Sequence, residues 1–181
     1  MQKNVTLYNM IVPVWLLMLF PLAWPIVLLG NFAVDSLVLC LGMRRLALAD
    51  KRAFYRRHIW KIWGCGFLGD LPGALLMLTA MLISDWVWVP EVGREGQSPV
   101  WNFLYENITG GVMANPFSNI WAFLWVTAAV AVSALCLYWL NRKLVYRRTE
   151  LEEKQKKRLS LLMALVTAPW VFYLPTVWFY R

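Results

Sequence analysis

Apolar residues in this chain gather in four long runs, 7–43, 62–84, 116–140 and 159–180, separated by charge-rich segments. Runs of this length with almost no charge follow neither the narrow stripe of a surface helix nor the alternation of a half-buried strand, and they predict membrane-spanning helices. The expected fold is therefore all-α: a polytopic transmembrane helix bundle of four spans, forming a single integral membrane domain over 1–181. As one straight helix the 37 residues of Leu7–Met43 would measure about 55 Å, against a hydrocarbon core of roughly 30 Å. Pro13, Pro21, Pro25 and Gly30 offer places to break it, which predicts two pieces near 7–20 and 26–43. If those pieces form a hairpin, the count rises to five spans.

Capping residues sharpen the remaining boundaries. Asp50 before Lys51 reads as an N-cap, starting the second helix two or three turns before its apolar run. Asn115-Pro116 reads as N-cap and first helical residue of the third span, since proline has no N–H to leave unpaired there. Glu150, Glu152 and Glu153 each precede a lysine by four positions, which predicts a solvated helical extension ahead of the fourth run. The patch Val100–Tyr105 in the 85–115 linker predicts a short helix lying in the membrane interface, a lid or a partner surface.

The composition agrees with a membrane protein: of 181 residues, 60% are hydrophobic and only 15% charged, against about 25% charged in soluble domains. The net charge of +8 arises from two clusters, seven Lys and Arg in 44–61 and eight in 141–158. Between them the 85–115 linker carries Asp85, Glu91, Glu95 and Glu106 against Arg94 alone. Cation bias in short loops sets orientation, so the basic linkers are expected on the cytoplasmic side of a cell membrane, most simply a bacterial plasma membrane, with the acidic linker outside. The lipid bilayer and its anionic headgroups are the expected partners of the basic linkers, together with a further copy or a larger membrane protein. No aromatic-basic module accompanies the charge, so nucleic acid is not expected. With His58 the lone histidine, and Cys40, Cys65 and Cys136 all inside apolar runs, neither a metal, a cofactor nor a disulfide framework is implied.

Two carboxylates interrupt the apolar runs. Asp35 lies nine positions before Arg44 and Asp70 nine after Lys61, so on consecutive antiparallel helices each sits about 13–14 Å from its basic flank. A charge at that depth costs on the order of 2.5–3.5 kcal/mol, and such residues face a protein interior or a wet cavity. If they meet, the two acids hold one proton between them near neutral pH. The stretch Gly64–Gly73 adds four glycines and Pro72, which predicts a helix either broken near Asp70 or very closely packed, with Gly66, Gly69, Pro72 and Gly73 as the break or packing residues.

Leu68-Gly69-Asp70 resembles the end of the Gly-x-Gly-Asp signature of intramembrane aspartyl proteases, with Phe67 where the signature has its first glycine. That likeness covers four residues and implies a second aspartate on a neighbouring span, the place Asp35 would take. Asn31–Leu39 is similar to the membrane part of a sporulation-factor processing peptidase, whose catalytic aspartate lies in a soluble domain with no counterpart here. Neither likeness assigns the chain to a family.

Three functions are compatible with these residues. An accessory or scaffold-type membrane component needs Asp35 and Asp70 only as satisfied hydrogen-bond partners. A transport component for a proton, cation or small solute would use them as the ion or proton site. An intramembrane aspartyl hydrolase would use them as acid and base on a shared water. No other enzyme signature is present, and the first of these readings leads.

Overall fold

The computed structural model describes residues 24–46, 48, 50–86 and 99–179. These are mostly helical, with no strand among them. Helix α1, Trp24–Arg45, begins with Pro25 in its first turn and runs unbroken through Gly30. Helix α1 thus covers the expected inner piece of the first run, 26–43, and ends within two residues of its predicted end. The expected outer piece and the break at Pro13 and Pro21 lie outside the described residues. Gly30 is not a break: a Cβ there would meet nothing within 4 Å, and a lone glycine weakens a helix by only about 0.5–1 kcal/mol.

Helix α2, Lys51–Trp86, starts where the Asp50 cap predicts, with the Ala53 amide donating to Asp50 Oδ1 at 3.0 Å. Only residues 46–50 separate it from α1, so most of the expected 44–61 linker is helical. Contrary to the expected break near Asp70, α2 passes through Pro72 as one helix of 36 residues. Close packing is the reason. A Cβ on Gly69 would stand 2.6 Å from Leu137 Cδ2, and one on Gly73 would overlap Ser133 Oγ and stand 2.6 Å from the Ala129 carbonyl. The α2 backbone is held against helix α5, Ile120–Leu140, over the turn from Gly69 to Gly73. The hydroxyl of Ser133 donates across the seam to the Asp70 carbonyl at 3.4 Å, a bond that small-residue helix contacts permit.

Between α2 and α5 lie two short helices, α3 (Pro99–Leu104) and α4 (Gly110–Ala114), joined by a π-helical turn at Tyr105–Thr109. Ile108 and Val112 pack against Ala80, Ala122 and Val126, and Thr109 Oγ1 donates to the Ala80 carbonyl at 2.7 Å. Helix α5 opens four residues later than the Asn115-Pro116 pair predicts. Asn115 instead closes a turn onto the Phe117 amide at 3.0 Å, and Asn119 is the cap, accepting from the Ala122 amide at 2.9 Å.

At its far end α5 leads into a π-helical turn, Asn141–Val145, closed by the Tyr146 amide on the Asn141 carbonyl at 2.9 Å. The expected helical extension begins only at Glu153. Thr149 turns the chain back on Tyr146 through both its amide and its hydroxyl, and the Glu152 amide donates to Gln155 Oε1 as helix α6, Glu153–Val166, opens.

The fourth apolar run departs most from expectation. Its α-helix ends at Val166, and two 3-10 segments, Trp170–Tyr173 and Thr176–Phe179, follow Pro169 and Pro175. Each proline lacks an N–H and disfavours helical backbone at the residue before it, here Ala168 and Leu174.

Among the described residues three helices are long and apolar enough to cross a membrane: Trp24–Arg45, Lys51–Leu82 and Ile120–Val145. Their outer faces carry large apolar side chains in the open, with Leu29 71%, Leu37 61%, Leu75 56% and Leu135 68% exposed. Contiguous apolar surface of that kind suits hydrocarbon rather than water. Inside, two apolar cores stack along the bundle. One, around Met77, Val112, Val126 and Phe172, lies towards α3 and α4. The other, around Leu39, Ile62, Tyr146 and Met163, lies towards the basic segments.

Candidate functional site: two carboxylates at a helix break

Asp35 and Asp70 sit in the gap between these cores. Both are buried, at 3% and 4% exposure. Asp35 is brought inward by α1, which packs against both α2 and α6. Two indole and phenol bonds hold the α1–α2 seam: Trp63 Nε1 donates to the Leu28 carbonyl at 2.9 Å, and the Tyr55 hydroxyl to Ser36 Oγ at 2.9 Å.

Gly66 makes room for the acid. A Cβ there would stand 3.0 Å from Asp35 Oδ2, so the carboxyl lies directly on the α2 backbone. Asp35 is therefore level with Gly66, and Asp70, four residues on, stands one turn (about 6 Å) further from the basic end. Equal spacing from the basic flanks thus gives the pairing to within one turn. The two acids are close enough to act on one another electrostatically.

Both line one cavity of about 390 Å³ whose wall also includes Asn31, Gly66, Trp170 and the chain from Val166 to Val171. The non-helical stretch of the fourth run is thus one side of the cavity, and Thr167 from that stretch lines it together with Asp35. The Thr167 hydroxyl lies 2.8 Å from the Met163 carbonyl, to which it donates. Asp35 Oδ2 and Asp70 Oδ1 have no hydrogen-bond partner among the described residues.

Of the residues singled out by sequence, Asp35, Asp70 and Gly66 meet at the cavity. Gly69 and Gly73 serve the α2–α5 seam, and Pro72 stays within the helix. Thr167 was missed, although its signal was present: a hydroxyl residue two positions before a proline inside an apolar run. Tyr146, Asn141 and Ser160 were missed too, and are fully or almost fully buried at 0%, 1% and 0% exposure. Beside the basic segments they look in sequence like ordinary interfacial residues. Among the described residues no three His, Cys, Asp or Glu side chains gather as metal ligands. The donor set at the cavity is two carboxyls, one hydroxyl, one amide and the backbone of 166–171. Such a set can hold a proton, a small cation or an ammonium group.

No family model, curated protein or solved structure matches the chain. The functional reading therefore rests on this geometry alone.

Proposed function

We propose that the chain is a multi-pass membrane protein that binds a proton or small cation at Asp35 and Asp70, as a component of a transport route. In this reading the bundle crosses a bacterial plasma membrane four times. The last crossing is made by α6 and its 3-10 continuation, and the basic segments 44–61 and 141–158 lie in the cytoplasm against anionic headgroups. One observation carries the proposal: two buried acids on neighbouring helices share a cavity with the point where the fourth apolar run loses its helix. Carboxylates are costly inside a bilayer, and ion sites there are built from such acids beside interrupted helices whose carbonyls are free to turn inward.

The test is proton and cation flux in reconstituted vesicles, for wild type, Asp35→Asn and Asp70→Asn, with helicity and monodispersity as fold controls. Each variant is expected to fold and to lose most of the flux. Wild-type flux in both folded variants would refute the proposal.

A second reading, an accessory component seated against a larger membrane protein, draws on the broad apolar faces of α1, α2 and α5, where Ile26, Leu68 and Trp139 stand exposed. It predicts no flux in any form of the protein, and reduced stability in both variants because the acids then serve only the packing.

A further inference from the structure

Three more buried polar groups lie on the basic-end side of the carboxylates. Asn141 Oδ1, Tyr146 OH and Ser160 Oγ have no hydrogen-bond partner among the described residues, as Asp35 Oδ2 and Asp70 Oδ1 have none. Buried hydroxyl and amide oxygens are satisfied by protein or by water, and five such atoms in one bundle of this size call for a common explanation.

Their positions supply one. On α6, Ser160 precedes Thr167 by seven residues, which puts it on the same helical face and about 10 Å nearer the basic end. On α5, the α2 seam sets Leu137 against Gly69 and Ser133 against Gly73. Continued by one turn, that antiparallel register brings Asn141 level with Cys65, next to the glycine on which Asp35 rests. The π-helical turn then carries the chain round to Tyr146, a local geometry often found at functional positions. The Tyr146 ring stacks on Phe54 towards the basic end, centroids 6.4 Å apart, and the residue is fully buried. Tyr146, Cys65, Leu159 and Met163 belong to one packed cluster, and Ser160 is embedded in the α6 part of it.

We infer that Tyr146, Ser160 and Asn141 line a hydrated proton path from the basic end of the bundle to Asp35 and Asp70. The tyrosine hydroxyl is its narrow point. Along such a path each water and each hydroxyl, of Tyr146 and Ser160, accepts a hydrogen from one side and gives one to the other, while Asn141 Oδ1 only accepts and so holds a water in place. A proton entering at the basic end is matched by one delivered to a carboxylate, and the hydroxyl itself ends unchanged. The inference rests on the proposed function for its purpose, but its structural content is tested separately.

The experiment is infrared spectroscopy of the full-length protein in lipid, mixed with D2O, following the carboxylic C=O band that disappears in Asp35→Asn or Asp70→Asn. Tyr146→Phe removes one oxygen and leaves the ring. The expected result is a carboxyl H/D exchange at least tenfold slower than wild type, with flux reduced in parallel and helicity unchanged. Wild-type exchange in folded Tyr146→Phe overturns the path, as does the absence of any carboxylic band lost on aspartate substitution. If Tyr146→Phe does not fold, Ser160→Ala takes its place, with several-fold slowing expected and wild-type exchange again overturning the inference. The two proposals fail differently. Flux that needs the aspartates, with exchange indifferent to Tyr146, removes only the path; slowed exchange with aspartate-independent flux removes only the transport reading.

Discussion

Alanine at Gly73 and alanine at Gly64 should shift stability in opposite directions, although both glycines lie in α2. Each substitution carries the same helix-propensity gain, about 0.5–1 kcal/mol. At Gly64 nothing lies within 4 Å of the added methyl, so that gain should appear in full. At Gly73 the methyl would overlap Ser133 Oγ, stand 2.6 Å from the Ala129 carbonyl oxygen and 3.1 Å from Phe172 Cε2. Ser133 can rotate away at the loss of its bond to the Asp70 carbonyl, but Ala129 offers backbone, so α2 and α5 must separate. Overpacking of this kind costs about 1–3 kcal/mol. Because the propensity term cancels, the difference between the two variants reports the clash itself. Gly73→Ala should therefore be less stable than Gly64→Ala by about 1–3 kcal/mol. Reversible unfolding in mixed micelles, titrated with a denaturing detergent and followed by helicity, measures that difference. Equal stabilities would mean that the α2–α5 seam is looser than described, and the account of Pro72 lying in an unbroken helix would go with it.

Two further outcomes concern the ends of helices. Asn119→Ala removes the acceptor for the Ala122 amide and should cost about 1 kcal/mol; amide exchange is expected to quicken in the first turn of α5 and to stay unchanged in α2. Glu153 is held below the usual carboxylate range, first by the hydrogen bond from Lys156 and then by that ammonium's charge. Its contribution to stability is present above the unfolded-state pKa and is lost as pH falls through the lower folded value. A carboxyl NMR titration should show the Glu153 midpoint moving up in Lys156→Met and moving up with added salt in wild type; a midpoint indifferent to both would refute the pairing.

Much of this architecture was legible in the sequence because hydrocarbon solvent demands long uninterrupted apolar runs, and α1, α2 and α5 coincide with three of them. Asp50 was readable as a cap since its side chain answers to the next three residues alone. Asn115 and Asn119 show the limit of that logic: both offer an oxygen to a nearby amide, Asn115 to Phe117 and Asn119 to Ala122, and the sequence alone does not choose between them. The two acids were visible as polar exceptions, and equal distance from the basic flanks gave their pairing to within a turn. The glycines near Asp70 were ambiguous in sequence because a break and a close contact need the same small residues; only the presence of Leu137 and Ser133 on α5 decides for contact. The end of the fourth helix is marked in the sequence by Pro169, although the apolar run continues past it to residue 180. Tyr146, Asn141 and Ser160 left no local mark, since their burial comes from the π-helical turn and the packing of α6.

The continuity of α2 reaches beyond stability. Its 36 residues measure about 54 Å, well over the roughly 30 Å of a bilayer's oily interior, so in the proposed arrangement its cationic first third would stand clear of that interior as a stem. Since no joint intervenes between Arg52 and Asp70, the stem and the acid move as one rod. Under the proposed function, a push on the stem would reach Asp70 with no hinge to absorb it.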